Sequence, residues 1–215
     1  MKRRTLPITA LFAAATLLLT ACAEADDKPD AGQETEKPSK SAEPSGAPAQ
    51  DKPDGVDVSL PADMNLVFDW EEPEDGNEAA AMEDAANYVR AIYHGVDKRT
   101  SKVTAVTAYS TGGGLSYAQT QIDVRVDGGW TATGVRRHYQ ATTRSAANGT
   151  SVEIAFCVDS RRFYGKEIKT GKVLKSEPSI ADYDHFKIIM VKVPTGDGLW
   201  QASRVYVEAK AAKCQ

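Results

Sequence analysis

Apolar positions along this chain fall into three regimes. They are continuous from Leu11 to Leu19, almost absent from Ala23 to Asp57, and periodic from about Leu60 to the carboxyl end. Within the periodic part, Leu66, Val67, Phe68 and Trp70 form a short apolar lead-in that Glu71-Glu72-Pro73-Glu74-Asp75-Gly76 breaks. Met82, Ala85, Ala86, Val89, Ile92, Tyr93 and Val96 then return at three- and four-residue steps, which predicts an amphipathic helix with these residues on one face. Glu78, Glu83 and Asp84 near its start and Lys98 and Arg99 near its end agree with the helix dipole. The segment Leu115 to Val126 fits two templates: Leu115, Ala118, Ile122 and Val126 suit a helix, while Ile122, Val124 and Val126 suit a strand. Beyond Trp130 the period becomes two. Trp130–Ser145 and Ser151–Asp159 predict a hairpin around Asn148-Gly149, with Val152, Ile154, Phe156 and Val158 on one face. Phe163 to Leu174 turns at Lys169-Thr170-Gly171-Lys172, and Phe186–Val193 pairs with Leu199–Ala209 across Pro194-Thr195-Gly196-Asp197-Gly198. Helices first and antiparallel strands after predict an α+β domain, its helices packed on one face of a curved sheet.

The first regime carries its own chemistry. Lys2, Arg3 and Arg4 precede the apolar run, giving the charged start and short apolar core of an export signal. Counted from Leu6, the run is too short and too interrupted by Pro7 for a membrane span, which needs about 20 residues. It ends in Leu19-Thr20-Ala21-Cys22, which resembles the lipobox of bacterial lipoproteins: an aliphatic residue, two small residues, then cysteine. That resemblance implies cleavage before Cys22, a diacylglyceryl thioether on its sulfur, and anchoring to the extracytoplasmic face of a cell membrane. Two acyl chains suffice for stable anchoring where one does not. Residues 22–57 then read as a lipidated tether. The stretch after Cys22 has no aromatic residue and only Thr35 and Val56 as β-branched ones, so it lacks the apolar surface to offset ordering entropy. As a flexible coil of about 35 residues it spans on the order of 30 Å. The organisation expected is therefore a signal peptide at 1–21, a tether at 22–57 and one domain at 58–215.

Charge adds one exclusion. Of the 215 residues, those from Ala23 to Asp57 carry ten acids against four lysines, whereas those from Ser101 onward carry ten acids against sixteen bases. The bases are scattered rather than clustered, which argues against a nucleic-acid partner. After Cys22, two cysteines remain. An even pair in an exported domain predicts a Cys157–Cys214 disulfide, and closing its 57-residue loop should stabilise the fold by about 4 kcal/mol.

Thr131-Ala132-Thr133-Gly134, Phe156-Cys157-Val158-Asp159, Lys169-Thr170-Gly171-Lys172, Gly198-Leu199-Trp200-Gln201 and Lys213-Cys214 resemble, in order and spacing, lipoproteins of actinomycete bacteria built on the NTF2-like (cystatin-like) cone. The resemblance implies that Leu115–Val126 is helical and that a pocket lies between sheet and helices. By pattern, Tyr88, Tyr93, Tyr139, Phe156, Tyr164 and Trp200 are its aromatic candidates, and His138 and Asp159 its polar ones. The plainer alternative is that these aromatics simply fill the core.

Catalytic and metal constellations are missing from the pattern. His94 falls near the carboxyl end of the helix as a dipole partner, and His138 sits in Arg136-Arg137-His138-Tyr139. Asp182-Tyr183-Asp184-His185 has no second cluster to complete a metal or acid–base site and reads as the polar approach to a strand. No cofactor or metal is expected. The function expected is a non-catalytic binding or assembly module at the envelope, with an envelope protein or a small ligand as partner. A small-molecule isomerase or hydrolase using the cone, and an accessory to lipid or solute transport, are the alternatives.

Overall fold

The computed structural model describes residues 55–195 and 198–215. The leader, Cys22 and all but the last residues of the tether lie outside them. Six strands and three helices follow in the order β1 (Met64–Asp69), α1 (Gly76–Lys98), α2 (Thr104–Ala108), α3 (Gly112–Asp127), β2 (Trp130–Ser145), β3 (Ser151–Glu167), β4 (Val173–Leu174), β5 (Tyr183–Lys192) and β6 (Trp200–Ala209). The sheet order is β1-β2-β3-β5-β6, with β4 added to the end of β3. The class is α+β, helices packed on a curved sheet, as the pattern predicts.

One expectation needs correction. The sheet is mixed, because the lead-in is a strand that pairs parallel to β2 from Met64↔Gly134 to Asp69↔Tyr139. The three helices between β1 and β2 supply the long crossover that a parallel pair requires. Apolar residues at Leu66, Val67 and Phe68 hid the alternation that buries Met64 and Leu66.

Helix α1 starts where Asp75 Oδ1 accepts from the backbone N–H groups of Asn77 (2.9 Å) and Glu78 (3.0 Å). It ends at Arg99, which takes the left-handed conformation at φ 57° and returns its N–H to the last turn. Its apolar stripe is buried against the sheet. Glu78 ties its start to β2 by accepting from the Thr143 hydroxyl (2.5 Å) and the Ser145 hydroxyl (2.7 Å). The ambiguous segment is helix α3. Its packing resolves the ambiguity, since Ile122 is fully buried while Val124 is 64 % exposed, an outcome the strand template forbids. The start of α3 lies directly on β6: a Cβ on Gly114 would meet the Ala202 carbonyl oxygen at 2.0 Å, so only glycine allows the approach. The Tyr88 hydroxyl donates to the Gly114 carbonyl at 2.7 Å and locks α1 to the same point.

Three irregularities curve the sheet. Gln140 and Ala141 of β2 face the single residue Phe156, Ser160 and Arg161 of β3 face Arg136, and Ser203 is the extra residue of β6 opposite Ile189–Met190. Such bulges strengthen local twist and shift which residues point inward. Gly134, at φ +101°, comes so close to Arg162 that a Cβ would lie 2.1 Å from its carbonyl oxygen. Cys157 and Cys214 form a disulfide with Cα atoms 5.4 Å apart. It lies on the convex side, in a small cluster with Tyr183 and Ala211, and fastens the carboxyl end to the sheet.

Candidate functional site

The concave face of the sheet and the helices α1 and α3 enclose a cavity of about 340 Å³. Its walls are built by periodicity. From α1 come Tyr88, Val89, Ile92 and Tyr93; from α3 come Tyr117, Gln121 and Arg125, spaced by four and therefore on one face. Arg136 and His138, two apart on β2, share the concave side, as do Phe156 and Val158 of β3. Asp184, Phe186 and Ile188 of β5 and Val205, Val207 and Ala209 of β6 complete the lining. Phe156 and Phe186 stack with ring centroids 5.6 Å apart.

The polar groups within this apolar wall are few and specific. Arg136 donates from Nη1 to the Tyr93 hydroxyl, its Nη2 lies 3.9 Å from Asp184 Oδ2, and its Nε is buried without a partner. Its guanidinium also lies 5.8 Å from the Phe186 ring centroid. Arg125 donates from Nη1 to the Gln121 carbonyl at 2.6 Å, which orients it along α3. The phenols of Tyr88 and Tyr117 are pushed above the ordinary tyrosine range by burial and stay protonated.

His138 forms part of the floor. Its ring stacks on Phe68 at 4.4 Å, and Nδ1 lies 3.1 Å from the Val67 carbonyl oxygen. A carbonyl only accepts, so Nδ1 carries the proton and Nε2 is left as an acceptor. Burial, reinforced by the Arg136 and Arg90 charges, presses its pKa down to about 3. The unfolded chain binds a proton near pH 6.5 and the native imidazole does not, so this group's contribution is fully present above pH 6.5. It is lost at about 1.4 kcal/mol per unit as pH falls towards 3. Between pH 7 and pH 5 the wild type should therefore lose more urea stability than His138→Gln. Parallel declines in the two proteins would show that His138 is charged in the native state.

Of the residues singled out in the sequence, Tyr88, Tyr93, His138 and Phe156 meet in the cavity, and four others lie elsewhere. Tyr139 follows His138 on the strand and so faces the convex side, where its hydroxyl donates to the Cys214 carbonyl. Tyr164 lies on the face opposite Phe163, whose ring meets Tyr93 edge-on at 5.3 Å. Trp200 is wholly buried in the core, its backbone N–H bonded to Asp84 at 2.8 Å. Asp159 adjoins Val158 and is clamped by Arg161, whose Nη2 donates to Oδ2 at 2.7 Å. Burial is the largest single influence on this carboxyl and would raise its pKa. The Arg161 side chain and backbone together outweigh it and hold the group below the usual carboxylate range.

Other polar residues are redistributed too. His94 is buried, and its Nδ1 is bonded to the Ser59 carbonyl at 2.8 Å. The run Asp182-Tyr183-Asp184-His185 is divided by strand alternation. Asp182 accepts from the Ser179 N–H at 2.6 Å, Tyr183 packs by the disulfide, Asp184 enters the cavity and His185 pairs with Cys157 on the far side. Sequence reasoning passed over Arg136, Tyr117, Gln121, Arg125, Asp184 and Phe186 as pocket residues. Two signals would have found some of them: the two-residue step from His138 to Arg136, and the four-residue steps along α3.

The fold is an α+β cone, a curved mixed sheet with its pocket between sheet and helices. No protein-family model matches the chain, and no curated protein matches it in sequence. Among solved structures, it is similar to Aln2 from a Streptomyces species, at 14 % identity and TM-score 0.41 over 60 % of this chain and 88 % of that one. It is similar to a ketosteroid isomerase-like protein from Erwinia carotovora atroseptica, at 13 % identity and TM-score 0.42 over 63 % and 97 %. A third is the intermembrane space region of the chloroplast protein ARC6, at 8 % identity and TM-score 0.41 over 64 % and 99 %.

Proposed function

We propose that this chain is an envelope lipoprotein whose cone binds a small molecule without turning it over. The observation that carries the reading is the cavity. Its volume of about 340 Å³ falls in the range of ligand sites, and it combines an apolar, aromatic wall with a few convergent polar groups. A proton-transfer catalyst needs a group poised near the working pH. His138 is held far below that, and Asp184 faces the Arg136 guanidinium. Leader, lipobox and tether together support placement on the outer face of a membrane, a leash above the lipid.

Two experiments test the halves separately. Val207 lines the cavity and is 41 % exposed, so Val207→Trp should plug its mouth and leave the core intact. Native mass spectrometry of protein recovered from its own membranes should show a bound small molecule in the wild type and none in this variant. A wild-type protein that carries nothing in several growth conditions counts against a ligand site. For the anchor, Cys22→Ala should abolish membrane association and leave the precursor uncut. A mature amino terminus that is unmodified, or that begins elsewhere, removes that half.

A further inference from the structure

The charge inside the cone is unbalanced and its central cation is under-bonded. A guanidinium offers five N–H groups. Among the described residues, Arg136 gives one hydrogen bond, to Tyr93, while its Nε has no partner and Asp184 at 3.9 Å is beyond hydrogen-bond range. The side chain is only 13 % exposed, so bulk water does little to satisfy it. Arg125 approaches from α3, and both guanidinium carbons lie 5.8 Å from the centroid of the same Tyr93 ring. With His138 neutral, two arginines against one aspartate leave the lining at about +1.

We propose that the cone's ligand is a small monocarboxylate with a flat, ring-shaped apolar body. Its carboxylate accepts from the unpaired N–H groups of Arg136 beside Arg125, and its rings lie against Phe156, Phe186 and Tyr117. The carboxylate both completes the bonding of Arg136 and cancels the residual charge, and a planar guanidinium matches it geometrically. Aromatic walls favour a flat body through offset or edge-on contacts. This assignment rests on the reading of the cone as a ligand site.

The test compares 2-naphthoate with 2-naphthamide, its neutral counterpart of nearly the same shape, by isothermal titration calorimetry. The protein is the full chain carrying Cys22→Ala, which keeps lipid out of the measurement. Naphthoate should bind roughly tenfold more tightly than naphthamide, as expected of a charge-assisted pair in a partly desolvated site. Arg136→Gln should erase most of that gap. Arg125→Gln, on the helix side, leaves the Arg136–Tyr93 bond in place and should narrow the gap by about threefold. It keeps the test decisive should the first variant misfold. Equal binding of acid and amide overturns the anion site while leaving a ligand-binding cone. Binding of neither overturns the flat monocarboxylate, while the ligand site itself stands or falls on the native mass spectrometry.

Discussion

Replacing Cys157 and Cys214 with serine should lower the unfolding midpoint by roughly 8–16 °C. The bond closes a loop of 57 residues, which removes about 4 kcal/mol of denatured-state freedom on the chain-entropy view. In a domain of this size each kcal/mol moves the midpoint by about 2–4 °C. The native state has local reasons to miss the bond as well. Cys214 is buried, and its carbonyl accepts from Tyr139. The preceding Ala211 N–H donates to the Tyr183 carbonyl at 2.8 Å. Without the covalent link, the final turn is held to β5 by few contacts and should fray first, which amide hydrogen exchange over residues 205–215 would reveal. Peptide mapping under non-reducing conditions should recover Cys157 and Cys214 in one linked fragment. A serine pair that melts within a degree or two of the wild type would mean the bond contributes nothing.

Trp200→Ala should cost about 3–5 kcal/mol, and Trp200→Phe much less. Trp200 is among the largest side chains with no solvent exposure. Removing it leaves a void that α1 and β6 cannot close, because the backbone N–H of residue 200 remains tied to Asp84. Its indole Nε1 is buried without a partner, so phenylalanine deletes an unsatisfied donor along with some volume. Trp200 lies outside the cavity lining, so neither change should alter the naphthoate-to-naphthamide ratio in protein that is still folded. Urea midpoints measure the cost. If phenylalanine proves as damaging as alanine, the indole N–H has a partner and the packing account fails.

These two sites show how unevenly the molecule can be read in advance. The pairing of the cysteines follows from their number and from the single face that Ile154, Phe156 and Val158 share, which turns Cys157 the other way. Trp200, by contrast, is a pocket candidate by pattern, and the packing denies it. Along β6, residues 200 and 202 point into the core, but the extra residue Ser203 shifts the parity, so that Val205, Val207 and Ala209 line the cavity. Nothing in the local pattern marks that shift; the Ser203 hydroxyl bond to the Ile189 carbonyl at 2.9 Å sits at the site and is visible only in three dimensions. Other misplacements were avoidable. Once His138 faces inward, strand alternation alone sends Tyr139 outward, and the same rule separates Asp159 from Val158.

What the sequence determined by itself is what short-range periodicity and covalent chemistry encode. Helix α1, the Asn148-Gly149 hairpin, the β5–β6 pair and an even number of cysteines after Cys22 all belong here, because each depends on residues a few positions apart or on a count. The resemblance of Leu19-Thr20-Ala21-Cys22 to a lipobox is of the same local kind. The tertiary structure alone decided the helix at α3, the parallel pairing of β1, and the meeting of Arg136, Arg125 and Asp184 around Tyr93. Those outcomes turn on burial, register and bulges. A bulge of one residue reverses which side chains face inward, and its position is set by how whole strands pack, not by the residues beside it.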